Sequence, residues 1–154
     1  MRAGHYMPFA VDWAAKMGYD GRGETGTFTL AQEKATKPLA IATADGYGLD
    51  GGTVFWTNDM DYPHGSATSW ASATTYQGRS KHHVVDKLID PQGMTVDNEN
   101  KKLYFAEHSG YLVSRTALDG TGKEIVVHKA QNESFQPSDV AVDAKTGKMF
   151  VSVL

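Results

Sequence analysis

The amino-acid sequence predicts an all-β fold that is assembled from repeated four-stranded units. Short runs rich in Val, Tyr, Phe and Trp recur along the chain, and Gly, Asp, Asn or Pro bounds each of them. This pattern is typical of β-strands separated by turns. The same order of segments also appears more than once, and it begins each time at a proline. A length of 154 residues is that of a single domain.

The repeats align on three prolines, and each proline opens a first strand: PLAIATADG, PQGMTVD and PSDVAVD, which begin at Pro38, Pro91 and Pro137. Hairpin connections at 98–102 and 144–148 lead to the second strand in the second and third repeats. The second strands are aromatic, as VFWTND, LYFAEH and MFVSVL. The first two repeats continue with a third strand that ends in a glycine-containing turn and with an apolar fourth strand. Each unit holds roughly 45 to 55 residues, the length of one β-propeller blade.

The third repeat reaches the end of the chain after its second strand, and the opening stretch of the chain supplies its other two strands. Residues 11–23 repeat the pattern of residues 68–80, because Trp, Tyr, Gly and Arg recur at one constant offset. The predicted organisation is therefore one domain, 1–154, with one blade split between the two ends of the chain. The blade boundaries are 38–90 for blade 1, 91–136 for blade 2, and 137–154 plus 1–37 for blade 3.

The repeats resemble a known family at the ends of their second and third strands. VFWTN followed by YQG, and LYFAE followed by LDG, are similar to the YWTD repeat of LDL-receptor class B propellers. The fungal and bacterial YWTD-domain proteins are the nearer likeness, and PQGMTVD–LYFAE–ALDG is the best-matching repeat. The resemblance implies a six-bladed propeller. The last residue of the family tetrapeptide falls on Asn58, Glu107 and Val153, a position that braces neighbouring blades in the family.

Three blades cannot close a ring, since each sheet has to pack face to face on two neighbours. An open arc would expose apolar sheet faces and unpaired strand edges. The expectation is a homodimer that completes six blades, in which KMFVSVL of one subunit pairs with FAVDWAAKM of the other at two equivalent seams. The alternative is that the chain is half of a longer propeller.

Composition excludes several classes of function. The net charge of −3 argues against nucleic-acid binding, which usually requires a basic face. No run of 18 apolar residues exists to span a membrane, and the first residues lack the apolar core of a signal peptide, so a cytoplasmic protein is expected by default. The absence of cysteine removes disulfides and thiolate metal sites.

The sequence favours a binding or interaction module that recognises a small ligand or a protein through the mouth of its channel and its long loops. Asn58–Asp59 and Glu107–His108 occupy equivalent positions at the ends of second strands and predict a polar ring at one mouth. Two long segments break the repeat, 44–52 with Tyr47 and 59–69 with Tyr62, and loops on a rigid scaffold commonly carry recognition. The competing interpretation of the strand-end residues is that they cap turns.

The alternative function is a metal-dependent hydrolase or lyase with a divalent ion in the channel. The repeats also resemble gluconolactonase-like propellers, and that resemblance implies Asn and Asp ligands just after the proline together with a Glu. Leu39, Gln92 and Ser138 stand at those positions here, and none of them is a carboxylate. We therefore assign no catalytic residue and no metal ligand, and the divalent ion belongs to this alternative alone.

Overall fold

The computed structural model describes residues 37–49, 51–59, 66–76, 81–129 and 135–154. Within these ranges the secondary structure consists of β-strands and one short 3-10 helix, which covers His108–Gly110. The strands are β1 (Lys37–Asp45), β2 (Gly52–Asp59), β3 (Ser69–Thr75), β4 (His82–Leu88), β5 (Pro91–Asp97), β6 (Lys102–Glu107), β7 (Leu112–Ala117), β8 (Glu124–His128), β9 (Pro137–Asp143) and β10 (Lys148–Val153).

The strands form three sheets in which neighbours along the chain are also neighbours in space. β1 to β4 make one antiparallel four-stranded sheet, β5 to β8 make a second, and β9 pairs with β10. Such up-and-down sheets are the blades of a β-propeller, so the predicted all-β propeller fold is confirmed. The two further strands predicted for blade 3, within residues 1–37, begin outside the described residues.

Local chemistry fixes the hairpin connections between first and second strands. The Asp97 carboxylate accepts hydrogen bonds from the Asn100 backbone N–H at 2.9 Å and from its side-chain amide at 2.8 Å. Asp143 likewise accepts from the Lys145 N–H at 3.1 Å and from the Thr146 hydroxyl at 2.7 Å. Asp side chains that bond the backbone a few residues ahead are strong turn formers. The predicted hairpins at 98–102 and 144–148 are present in the structure.

Strand alternation divides the second sheet into two buried faces. Leu103 and Phe105 of β6 belong to a core shared with the first sheet, whereas Tyr104 and Ala106 pack with Val140 of the third sheet. Successive side chains of a strand point to opposite faces, so one short segment serves both interfaces. Full burial of a Leu or Phe side chain contributes about 1.5–3 kcal/mol, so Leu103 and Phe105, both 0% exposed, stabilise the interface with the first sheet.

The first strands of the blades converge. β5 packs beside both β1 and β9. At the closest approach a Cβ added to Gly93 would lie 2.5 Å from the Cα of Asp139 and 2.8 Å from the carbonyl oxygen of Ser138. No side chain fits in that space, and glycine is required there for steric reasons. The first strand of each blade is therefore the innermost one, and the later strands of the blade lie farther out.

Because each sheet is antiparallel, its connections fall alternately at two ends. We call the end at which β1, β5 and β9 begin the Pro end, and the end at which they finish the Asp end. The second strands finish at the Pro end, with Asn58–Asp59 and Glu107. The β1–β2 connection, with Tyr47, lies at the Asp end. The sequence-predicted site residues are therefore divided between opposite ends of the blades.

Candidate functional site

Asn58 and Asp59, at the Pro end, are buried and form hydrogen bonds within the first sheet. Their exposed fractions are 0% and 4%. The Asn58 side-chain amide donates to the Ser72 hydroxyl at 3.1 Å, and the Ser69 hydroxyl donates to Asp59 Oδ1 at 2.8 Å. Both bonds join β2 to β3. Tyr62, which the sequence predicts as a ligand contact, lies outside the described residues.

Glu107 links the first two sheets and is completely buried. Its Oε2 accepts from the Ile89 backbone N–H at 2.7 Å, in the segment that connects the two sheets. Its Oε1 accepts from the Ser114 hydroxyl and lies 3.0 Å from Lys123 Nζ. The Lys123 ammonium also donates to the carbonyl of Lys87 at 3.0 Å. A buried carboxylate with this set of donors is an inter-sheet brace, the role that the family resemblance implies for this position.

A polar cluster surrounds Asp90 at the same end, directly before the proline of the second repeat. Asp90 is 8% exposed and has a φ of 49°. Its carboxylate accepts from the Gln92 amide at 2.5 Å and from the Ser109 hydroxyl at 2.6 Å. His108 Nδ1 lies 3.3 Å from the same carboxylate, and the His108 N–H donates to the Asp90 carbonyl at 3.0 Å. His108, with a side chain 20% exposed, is the predicted residue that reaches the surface here.

Asp90 and Ser109 are not among the residues that the sequence singles out as a candidate site. The one available signal is that an Asp precedes Pro91, whereas Lys37 and Gln136 precede the equivalent prolines. That signal is weak, because Asp before Pro is also a common way to begin a turn. The partners of Asp90 depend on how the β6–β7 connection folds back over the start of β5.

The Tyr47 side chain, at the Asp end, is half-buried and packs against the first sheet. Its ring stacks on Phe55 with a centroid distance of 6.3 Å and an interplanar angle of 30°. The Thr53 hydroxyl donates to the Tyr47 carbonyl at 2.8 Å. Burial raises the pKa of the Tyr47 hydroxyl, and the nearby charge of Asp119 raises it further. Among the described side chains of this connection, Leu49 reaches solvent and is 72% exposed.

The described residues contain no group of three or more His, Asp or Glu side chains arranged to hold a metal ion. Of the positions directly after the repeat prolines, Gln92 hydrogen-bonds Asp90. The alternative of a divalent ion in the channel thus has no ligand set among the residues that the structure describes.

Comparisons with known proteins agree with the β-propeller fold. The chain is 26% identical over 136 residues to the vitellogenin receptor of Solenopsis invicta, a match that covers 81% of this chain and 7% of the receptor. A chain in the crystal structure of a nidogen/laminin complex is similar with a TM-score of 0.59 and 22% identity. That match covers 76% of this chain and 40% of the nidogen/laminin chain. No protein-family model matches the sequence.

Within the described part of the chain, no helix has both the length and the apolar composition needed to cross a bilayer. The expectation of a cytoplasmic protein gains no support from the comparisons, because the matched relative is named as a receptor.

Proposed function

Because this chain is built from YWTD-type β-propeller repeats, we propose that it is a binding module for a protein ligand. One observation carries the proposal: the polar residues of the predicted ring that lie within strands are buried and paired. Asn58, Asp59 and Glu107 have exposed fractions between 0% and 4% and hydrogen-bond other strands or the segment between the sheets. The strands therefore form the rigid framework, and the connections at the two ends of the blades would bind the ligand.

The polar surface at the Pro end would contribute through His108, whose side chain remains partly exposed beside Asp90. At the Asp end the β1–β2 connection exposes Leu49. The propellers found in the comparisons also favour recognition, since one is a receptor and the other is part of a protein complex. A small ligand in the channel and a metal-dependent hydrolase are the competing functions that an experiment has to separate.

The test is a selection of random dodecapeptides displayed on phage against the immobilised protein. We expect enriched peptides that bind the soluble protein in fluorescence anisotropy, at affinities in the micromolar range typical of short peptides. A parallel assay measures turnover of lactones and esters after addition of Ca²⁺ or Mn²⁺. A selection that enriches no peptide would refute the binding-module proposal, and metal-dependent turnover would then favour the enzyme.

We propose further that a second copy of the chain closes the ring to six blades. The support is the outer face of the third sheet, where Ala141 pairs with Phe150 and Phe150 is 59% exposed. Val153 and Leu154 beyond it are 50% and 79% exposed. None of the described strands pairs with the second edge of β10, and an open apolar sheet edge invites association.

Light scattering tests the assembly. We expect a mass twice the 16.7 kDa of the chain, with no folded monomer at micromolar concentration. Phe150→Asp should unfold the protein, because a charge buried within a sheet interface costs several kcal/mol, comparable with total stability. A folded wild-type monomer, or a folded monomeric Phe150→Asp variant, would contradict closure by a second copy.

A further inference from the structure

The β1–β2 connection at the Asp end differs from its two equivalents in length and in chemistry. The equivalent turns at 98–101 and 144–147 are short, and their side chains are charged, polar or small. The β1–β2 connection is longer and presents Leu49 with 72% of its surface exposed. An apolar side chain placed at the tip of a connection, where the repeat otherwise has polar residues, is not required by the fold.

The described part of this connection, residues 46–49 and Gly51, is held by hydrogen bonds. The Gly46 N–H donates to the Gly51 carbonyl at 2.9 Å, and the Thr53 hydroxyl holds the Tyr47 carbonyl. Gly48 has a φ of +80°, and a Cβ there would lie 2.8 Å from Thr53 Oγ1. Since Tyr47 is also anchored on Phe55, Leu49 stands on a rigid support, and less entropy is lost when a partner covers it.

Two carboxylates lie near Tyr47. Asp45, two residues earlier, is exposed and accepts a hydrogen bond from the Tyr76 hydroxyl. Asp119 lies in the β7–β8 connection of the next sheet, directly after Leu118, which belongs to the buried cluster on which Tyr47 packs, and the Asp119 charge raises the pKa of Tyr47. The Thr121 hydroxyl and N–H donate to Asp119 Oδ1 at 2.7 and 2.9 Å, which fixes that carboxylate in place.

One cation opposes these charges, because Lys102 acts electrostatically on Asp119. Asp45 has no such counterion among its described contacts, which consist of the Tyr76 hydroxyl. Among the described residues, the surface around Leu49 therefore combines an exposed aliphatic side chain, two phenolic rings and two carboxylates, of which Lys102 opposes one. Electrostatic complementarity favours a cationic partner at such a surface.

We propose that residues 46–49, together with Asp45 and Asp119, form a docking surface for an extended protein segment. The segment that fits carries an apolar side chain within two residues of a Lys or Arg. The apolar side chain covers Leu49, and the cation lies between the carboxylates of the two sheets. This inference rests on the proposed binding function and assigns it to the Asp end.

The test uses the dodecapeptides enriched on the wild-type protein, measured by fluorescence anisotropy against three variants. Leu49→Ser should weaken binding at least tenfold, as expected for loss of a central apolar anchor. Asp119→Asn should weaken binding about threefold to tenfold and flatten its dependence on salt, because the amide oxygen still accepts from Thr121 while the charge is lost. Lys145→Ser, an exposed change in the equivalent connection of the third sheet, is the matched control and should leave affinity unchanged.

The sequences of the enriched peptides give a second readout. We expect Leu, Ile, Phe or Trp adjacent to Lys or Arg to be enriched over the starting library. Peptides that are acidic, or peptides that bind Leu49→Ser as well as they bind the wild type, would overturn the docking surface while leaving the binding module intact. A selection that enriches no peptide at all would overturn both, so the two failures are distinguishable.

Discussion

Replacement of Glu107 tests whether the buried carboxylate braces the first two sheets or serves a ligand. Glu107→Ala removes the acceptor of the Ile89 N–H, the Ser114 hydroxyl and the Lys123 ammonium. Glu107→Gln keeps the volume of the side chain and one carbonyl oxygen but replaces the other oxygen with an amide donor that faces the ammonium.

The magnitude follows from the burial of each partner. Breaking a buried ion pair by removing one member costs about 3–5 kcal/mol. The lower half of that range applies to the pair itself, because the Lys123 side chain is 31% exposed and can turn to water. The Ile89 N–H and the Ser114 hydroxyl each add about 1–3 kcal/mol when left unsatisfied, although Ile89 is only half-buried. With the lower value for each group, about 3 kcal/mol for the ion pair and about 1 kcal/mol for each unsatisfied donor, we expect a total loss of about 5 kcal/mol for Glu107→Ala and about 1–3 kcal/mol for Glu107→Gln.

Urea unfolding followed by circular dichroism measures these losses, with the slope of the transition as a check that the unfolded state is unchanged. Glu124→Ala is the matched control in the same sheet. The Glu124 side chain is 53% exposed and pairs with Arg115 at 2.6 Å, so its loss should leave the stability close to that of the wild type. If Glu107→Ala stays within 1 kcal/mol of the wild type but abolishes peptide binding, the bracing role is wrong and the channel-mouth prediction for Glu107 stands.

Three further predictions concern packing and pH. Gly93→Ala should cost more than 2 kcal/mol in urea unfolding, since its Cβ would lie 2.5 Å from the Cα of Asp139. The control Gly147→Ala, at a position with open space and a φ of +67°, should cost about 1 kcal/mol. Equal losses in the two variants would contradict the close approach of β5 and β9. Phe105→Ala, at a fully buried position of the core between the first two sheets, should lose about 3–5 kcal/mol, and a loss under 1 kcal/mol would mean that the two sheets do not pack as described. The hydrogen bond from the Thr121 side chain lowers the pKa of Asp119 below the ordinary 3.8. The Asp119 carboxylate therefore stabilises the fold above that pH, and the stabilisation is lost as the pH falls through the folded-state pKa. Thr121→Val should raise this pKa in an NMR titration, and an unchanged value would exclude the hydroxyl as its cause.

The sequence by itself determined the architecture of the blades. Proline-anchored repeats, aromatic second strands and Asp-containing turns are local patterns, and local patterns depend on residues that are neighbours in the chain. Alternation in β6 was equally readable, since Leu103 and Phe105 share one face while Tyr104 takes the other. The family resemblance then added the bracing position that falls on Glu107, whose contacts agree with that role.

Tertiary structure alone decided what the polar residues of the repeat contact. The sequence marks Glu107 as a strand end, but its donors Ile89 and Lys123 come from the inter-sheet segment and from the connection before β8. Tyr47 and the strand-end residues are both predicted binding residues, and the antiparallel order of β1 and β2 places Tyr47 at the opposite end from Asn58 and Asp59. A side chain's partner is set by the surface that packs against it, and that surface is contributed by residues distant in the chain, for which no local pattern exists.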